Sequence, residues 1–298
     1  MKKRFLHSIY ILLYSISPKL LLHFRFLLHY SYYKKFLSFK NPITLDEKIQ
    51  CLKLGYYKNN NLITQCADKY AVREYIKSCN CSEILIELYG VYNKVEDIPW
   101  QDLPNKFILK WNFGCGQNLI CRNKNDLDID KTVLQVNNWR KYHNTFYKYG
   151  AEMQYKNIEP KIIIERLIET KDGGVPIDYK VYCFHGKPYC VLTCANRDSN
   201  KTMFYFVDKD WNLLRLNKAG QNAPNNFSLP RPNGYEKIFE YAEKLAKPFP
   251  FVRADFYIDN GQVIFGELTF SPANGFDNNR LIETNVMFGS MLDISSVM

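Results

Sequence analysis

Acidic residues are missing from the first 45 positions, which nonetheless carry eight of the chain's 40 lysines and arginines: Lys2, Lys3, Arg4, Lys19, Arg25, Lys34, Lys35 and Lys40. The remainder is nearly balanced, with 32 basic residues against 30 acidic ones. The net charge of +10 therefore belongs to one end of the 298-residue chain. That distribution excludes a phosphate-tracking face spread over the folded body, and with it a general nucleic-acid binder. Long apolar runs are also lacking. "IYILLYSI" and "LLLHFRFLLHYSYY" are broken by Pro18, Lys19, His23, Arg25 and His29, so neither reaches the roughly 20 residues of a spanning helix. His7 interrupts the apolar stretch that begins at Phe5 and no small-residue cleavage site follows, which argues against a signal peptide. The nine cysteines show no metal-finger or C-x-x-C spacing, and their odd number excludes a complete disulfide framework. They read as reduced packing thiols of a cytoplasmic protein. Histidine is scarce at five residues, three of them in the basic segment. There are no internal repeats and no low-complexity tract.

Hydrophobic residues make up 46% of the chain and aromatic ones 15%, enough for a full core in a body of two or three lobes. Residues 1–40 form a basic, apolar helical segment in which Leu20, Phe24, Leu27 and Leu28 share a face. This predicts an interfacial anchor on the inner leaflet of the cytoplasmic membrane. A helix merely packed on the body is the alternative. Beyond it, "NPITLDEKIQCLKLGYY" predicts a helix opened by a capping box of Thr44 and Glu47. "CADKYAVREYIKSC" has helical spacing, and "EILIELYGVY" is strand-like. "NKFILKWNFGCGQNLICRNK" predicts a hairpin over 107–111 and 118–121. A helix is expected near "DIDKTVLQVNNWRKYH", strands at "KIIIERLIE", "DYKVYCFH" and "YCVLTCANR", and a last helix at "GYEKIFEYAEKLAK". The Asn- and Pro-rich stretch 217–234 predicts a flap or exposed connection. The tempo is α/β, or α+β.

Three stretches carry chemistry. In "VRADFYIDNGQVIFGELTFSPANGF", Asp255 and Glu267 sit twelve apart across an Asn-Gly turn, among phenylalanines that predict burial. Two buried carboxylates call for something cationic between them. Hard oxygens suit Mg²⁺, which takes its remaining ligands from water and nucleotide phosphates. In "FILKWNFGCGQN", Lys110 precedes a loop bearing Gly114 and Gly116, whose N–H groups could close over phosphate; ordinary turn glycines are the alternative. "KIIIERLIE" places Glu165 and Arg166 after an apolar strand, with Asp178 and Lys180 following a short loop later. This fits either a segment offering backbone to adenine and a carboxylate to ribose, or a plain strand end with a surface ion pair.

Taken in order, "ADKYAVREYI", "FILKWNFGCGQNLI", "IIIERLIE" with "DYKVYCF", and "VRADFYIDNGQVIFGELTFSP" resemble the landmarks of the ATP-grasp superfamily, as in D-alanine:D-alanine ligase. More closely, residues from about 41 to 276 resemble the TupA-like ATP-grasp family of bacterial surface-polysaccharide loci, through "NPITLDEKIQ", "DKYAVREY", "QYKNIEPKIIIE" and "FPFVRADFY". The resemblance implies an ATP-grasp fold whose two lobes, a small one over 105–167 and a carboxy-terminal one over 168–298, clamp ATP, preceded by an amino-terminal α/β lobe over 41–104. It implies that Lys69 and Lys110 contact ATP phosphates and that Gly114, Cys115 and Gly116 form the covering loop. Glu165, Arg166 and Leu167 would form the adenine hinge and Asp178, with Lys180, the ribose side. Asp255, Glu267 and Thr269 stand at the metal positions, and Arg253 faces the transferring phosphate. Arg166 replaces the usual lysine, and Thr269 the usual asparagine ligand, a role that Asn274 or water could fill. The implied reaction is ADP-forming carboxylate–amine ligation through an acyl phosphate. Its implied substrates are an amine and a uronate-bearing glycan, or its nucleotide- or lipid-linked precursor. Two rivals stay open. One is a glycosyltransferase, for which Asp128 with Asp130 and Asp208 with Asp210 supply Asp-x-Asp pairs; the other is a non-catalytic ATP-binding module.

Overall fold

The structure is a computed structural model that describes residues 2–170, 173–174, 176–195 and 202–297. Eleven helices are described: α1 (Lys2–Ile16), α2 (Pro18–Leu28), α3 (Tyr30–Tyr33), α4 (Leu45–Leu54), α5 (Asn61–Ala67), α6 (Val72–Ser78), α7 (Ile129–Arg140), α8 (His143–Gly150), α9 (Lys218–Asn222), α10 (Tyr235–Ala246) and α11 (Ile282–Ser290). The strands are β1 (Leu88–Tyr92), β2 (Phe107–Trp111), β3 (Asn118–Cys121), β4 (Ile162–Glu165), β5 (Tyr179–Phe184), β6 (Lys187–Ala195), β7 (Met203–Val207), β8 (Leu213–Leu214), β9 (Phe251–Asp259) and β10 (Gln262–Thr269). They form a four-stranded sheet in the order β1-β4-β2-β3 and a six-stranded sheet in the order β10-β9-β5-β6-β7-β8. Every pairing is antiparallel. The four-stranded sheet thus draws β1 from the 41–104 stretch.

Local chemistry accounts for the elements. The capping box forms as predicted: the Glu47 N–H donates to Thr44 Oγ1 at 3.2 Å and the Thr44 N–H to Glu47 Oε2 at 3.0 Å, satisfying two donors that the first turn of α4 leaves open. In β2, alternation sends Phe107, Leu109 and Trp111 into the core and leaves Ile108 and Lys110 half-buried on the other face. Helix α10 buries Tyr235, Ile238, Phe239, Ala242 and Leu245, a stripe of helical period laid against β5, β6 and β9.

Three expectations need correction. The helix expected over 66–79 is two helices, because Asp68 ends α5 and turns its carboxylate on the N–H groups of Tyr70 and Ala71, while the Lys69 N–H leaves the helix for the Asn112 carbonyl at 2.9 Å. The helix α10 is not the last; α11 follows and buries Phe288 among Tyr182, Phe184 and Phe206. The 217–234 stretch is not wholly irregular, since it opens with α9, capped by the Asn217 side chain on the Gly220 N–H at 3.0 Å. The end of the "YCVLTCANR" run, residues 196 and 197, lies outside the described residues.

One apolar core joins both sheets. A smaller one lies under the amino-terminal segment, where Leu21, Leu22, Phe26, Tyr33 and Leu37 meet Ala151 and Phe276. Among the described residues no helix is long and apolar enough to cross a membrane. All nine cysteines are free thiols.

Candidate functional site

The Asn260-Gly261 turn has both residues at positive φ, 49° and 80°, the geometry of a two-residue hairpin that follows the natural strand twist. It pairs Asp259 with Gln262. Continued without interruption, that register would set Glu267 opposite Ala254, on the face away from Asp255, because strand faces alternate. A β-bulge between Phe265 and Glu267 adds one residue, Gly266, so that Glu267 pairs with Asp255 instead. The bulge is what puts the two carboxylates on one face. Glycine is required there: a Cβ on Gly266 would stand 2.9 Å from the Asp255 carbonyl oxygen.

The carboxylates look into a cavity of about 330 Å³ between the two sheets, lined also by Lys69, Arg73, Lys110, Gly114, Cys115, Gly116, Glu165, Asp178 and Lys180. Arg253, cross-strand from Thr269, grips Asp255 with two hydrogen bonds, Nε to Oδ1 at 2.7 Å and Nη2 to Oδ2 at 2.6 Å. Lys180 adds a third at 2.9 Å and lies 3.2 Å from Asp178. Arg253 stands 3.6 Å from Glu267. The Thr269 hydroxyl accepts from Arg253 at 3.2 Å and donates to Glu267 at 2.8 Å. Burial by itself would raise the Glu267 carboxyl, but the charges of Lys69, Arg253 and Lys180, with the Thr269 hydroxyl, hold it down to about 2. It is ionised and can only accept hydrogen bonds. Burial lowers the Lys69 ammonium from its ordinary value, against the pull of Glu267 and with the help of Lys110.

On the opposite wall, the break between α5 and α6 aims Lys69 at the glycine loop, where its ammonium donates to the Gly114 carbonyl at 2.5 Å. Gly114 and Gly116 adopt φ of 77° and 78°, a left-handed backbone that side-chain-bearing residues avoid. Lys110 pairs with Glu165 at 2.7 Å, and Arg73 reaches the same carboxylate at 3.4 Å. Glu165 thus pairs with two cations at the cavity wall. Arg166 follows Glu165 at the end of β4. Its N–H donates to the Glu87 carbonyl at 3.0 Å and its guanidinium lies 3.5 Å from Asp259. Arg166 and Leu167 line a second, more apolar hollow of about 90 Å³ that shares Lys110 and Glu165 with the first and is walled by Ile108, Ile120, Ile168, Pro176 and Tyr257. Arg253, Thr269 and Asn274 are not among the cavity-lining residues. Thr269 braces Arg253 and Glu267, and Asn274 presses its Oδ1 toward Gly150, where an added Cβ would lie 1.7 Å away.

The sequence reading did not single out Arg73, Asp68 or the Gly266 bulge. A lone helical arginine carries no distinguishing pattern, whereas a glycine inside the strand run "QVIFGELT" is a bulge signal that could have been read. The Asp-x-Asp pairs have local duties. Asp128 caps α7 through the Lys131 N–H at 3.0 Å, and Asp208 closes its own turn on the N–H groups of Asp210 and Asn212.

The arrangement suits a polyphosphate with a divalent cation. Cations and carboxylates around the cavity nearly balance, so a triphosphate would bring an excess of negative charge that a hard dication offsets. Among the described residues no group of three or more His, Cys, Asp or Glu could hold a metal alone. Two carboxylates leave the other positions to phosphate and water, as Mg²⁺ prefers.

A family model described as TupA-like ATPgrasp matches residues 47–293. A search of curated proteins finds no match. Among solved structures, the chain is similar to D-alanine–D-alanine ligase from Bacillus anthracis, with 14% identity, a TM-score of 0.44, and coverage of 76% of this chain and 62% of that one. The same enzyme complexed with ATP gives 12% identity, a TM-score of 0.44, and coverage of 76% and 66%. For L-amino acid ligase from Bacillus licheniformis the values are 9%, 0.46, and 78% and 50%. The chain spans less than two thirds of the length of each of these structures, and similarity at this level carries no residue correspondence.

Proposed function

The chain belongs to the TupA-like ATP-grasp family, and from that premise we propose that it is an ADP-forming carboxylate–amine ligase. The observation that carries this reading is the cross-strand pair Asp255 and Glu267, tied to Arg253 and Lys180 on their own sheet and faced across one cavity by Lys69 and Lys110. Lys69, Lys110 and the N–H groups of the 114–116 loop would hold ATP phosphates. The apolar hollow beside Leu167, Ile168 and Tyr257 would take the adenine ring, with Asp178 on the ribose side. Asp255 and Glu267 would hold Mg²⁺, which when bound supplies charge neutralisation to the phosphates.

Transfer moves the γ-phosphoryl group onto an oxygen of the substrate carboxylate as the bond to ADP breaks. The amine then adds to the acyl carbon, loses a proton, and phosphate leaves. No protein nucleophile is needed. The chain's work is alignment and electrostatics: Arg253, locked by Asp255 and Thr269, presents a fixed positive charge that costs no reorganisation when charge develops.

The carboxylate is proposed to be a uronic acid of a capsular or other cell-surface polysaccharide, or of its nucleotide- or lipid-linked precursor, and the amine an amino acid or amino alcohol. The family phrases over residues 41 to 276 support this choice. The test supplies ATP, Mg²⁺, a uronate-bearing acceptor labelled with oxygen-18 in its carboxylate, and hydroxylamine as amine. ADP, labelled phosphate and a hydroxamate are expected. AMP with pyrophosphate would identify an adenylating ligase, and UDP-sugar turnover without ATP would overturn the reading.

A further inference from the structure

The amino-terminal segment has two faces. One is committed to the body: Leu21, Leu22 and Phe26 are fully buried, and Arg25 donates to the Tyr149 carbonyl at 3.1 Å with its guanidinium 4.4 Å from the Phe276 ring centre. Tyr14 reaches Tyr147 edge-on and Met153 Sδ at 3.3 Å, and His7 stacks on Tyr149. The other face is bare. Among the described residues, eight of the sixteen exposed large apolar side chains fall between positions 12 and 43: Leu12, Ile16, Leu20, Leu27, Leu28, Tyr30, Phe36 and Ile43. The other eight are scattered from position 120 to 286. Phe36 is 68% exposed and Ile16 66%, values a folded chain does not keep in such density without a partner.

Charge selects the partner. Lys19, Lys34 and Lys40 are exposed within the same stretch, and no acid occurs before Asp46. Arg25 and Lys35 are spent elsewhere, Arg25 on the body and Lys35 on Glu47. The side chains of Lys2, Lys3 and Arg4 lie outside what is described. Exposed leucine, isoleucine and phenylalanine with lysine and no carboxylate match an anionic lipid surface, where apolar groups enter the acyl boundary and lysines meet headgroups. We propose that α1, α2 and the 30–43 segment form a docking face for an anionic bilayer surface, lying on it rather than crossing it.

The composition of this face also corrects the sequence reading. Phe24 is half-buried and meets Tyr10 edge-on, so the lipid-facing set is Leu20, Leu27 and Leu28 with residues of α1 and the following loop. The face is fixed to the site. Helix α8, which α1 and α2 grip through Tyr147 and Tyr149, holds Phe146 against the glycine loop, 3.7 Å from where a Gly114 Cβ would stand. Docking would thus present the cavity to the membrane in a set orientation.

The test is sedimentation of the full chain with vesicles, a readout that does not depend on ligase activity. The wild type is expected to pellet with phosphatidylglycerol vesicles and at least fivefold less with phosphatidylcholine vesicles, high salt weakening the former. The quadruple variant Leu12→Ser, Ile16→Ser, Leu27→Ser, Phe36→Ser should lose binding. The triple variant Lys19→Glu, Lys34→Glu, Lys40→Glu should do the same, and it keeps the test open should the first not fold. Equal pelleting of wild type and folded variants would overturn the proposal. So would a wild type that ignores both vesicles, including one that dimerises through this face and becomes monomeric in the serine variant.

Discussion

Single side chains in the cavity do not act alone. Lys110 and Arg73 share Glu165, and Arg253 and Lys180 share Asp255, so each of these four cations is positioned by a carboxylate. Removing one should disable the site while sparing the fold, because none of these groups belongs to the apolar core. Lys110→Ala and Glu267→Gln are each expected to lower kcat/KM for ATP-dependent ligation at least 100-fold, or about 2.7 kcal/mol of transition-state stabilisation. Activity within about threefold of wild type in either variant would remove that residue from the site. Glu267 also makes a pH prediction. Its folded carboxyl titrates at about 2, below the roughly 4.3 of an unfolded glutamate. The stability it contributes is therefore complete above about pH 4.5 and lost as pH falls toward 2. A melting-temperature series across that window should fall less steeply in Glu267→Gln than in the wild type, and parallel curves would mean that the carboxylate is not held ionised.

At the scale of elements, the hairpin of β9 and β10 is the part on which the site depends. Its turn alone sets a register that separates the two acids; the bulge at Gly266 reunites them. A methyl group there meets the Asp255 carbonyl at 2.9 Å, so the strand must shift or the bulge must migrate. Gly266→Ala should leave circular dichroism native-like and cut ligation at least tenfold, with weaker protection by Mg²⁺ and ATP against thermal unfolding. Full activity in that variant would show that the pairing of Asp255 with Glu267 is dispensable. The break between α5 and α6 is the matching device on the other wall. Asp68 takes two N–H groups and, through Oδ2, the Asn112 amide at 2.9 Å, and this fixed turn is what carries Lys69 to the glycine loop.

For the molecule as a whole, two antiparallel sheets facing across a cavity imply that a ligand touching both should stiffen the entire chain. Mg²⁺ with ATP at one hundred times its dissociation constant is expected to add about 2.7 kcal/mol to the stability. In thermal melts this shift should appear with ATP and Mg²⁺, be small with ATP plus a chelator, and be absent with a UDP-sugar and Mn²⁺. Stabilisation by the UDP-sugar alone would contradict the nucleotide reading. The amino-terminal helices, packed on α8 beside the glycine loop, are expected to share in the shift.

Much of this was already written in the order of residues. The capping box at Thr44 and Glu47, the Asn-Gly hairpin, the stripe of α10 and the alternation around Lys110 all arise from interactions between near neighbours, so local periodicity determines them. The family phrases placed Lys69, Lys110, Asp255 and Glu267 in one site for the same reason: motifs keep their spacing. Contacts between distant segments left no local mark. A glycine inside a strand can signal a bulge, but only the paired strand reveals the register it sets. The shared use of Glu165 by Lys110 and Arg73 spans 92 residues between Arg73 and its partner. The two faces of the amino-terminal helices were indistinguishable in sequence because leucine and phenylalanine serve a core and a lipid surface equally well. Packing against Ala151 and Phe276 decided which face is buried.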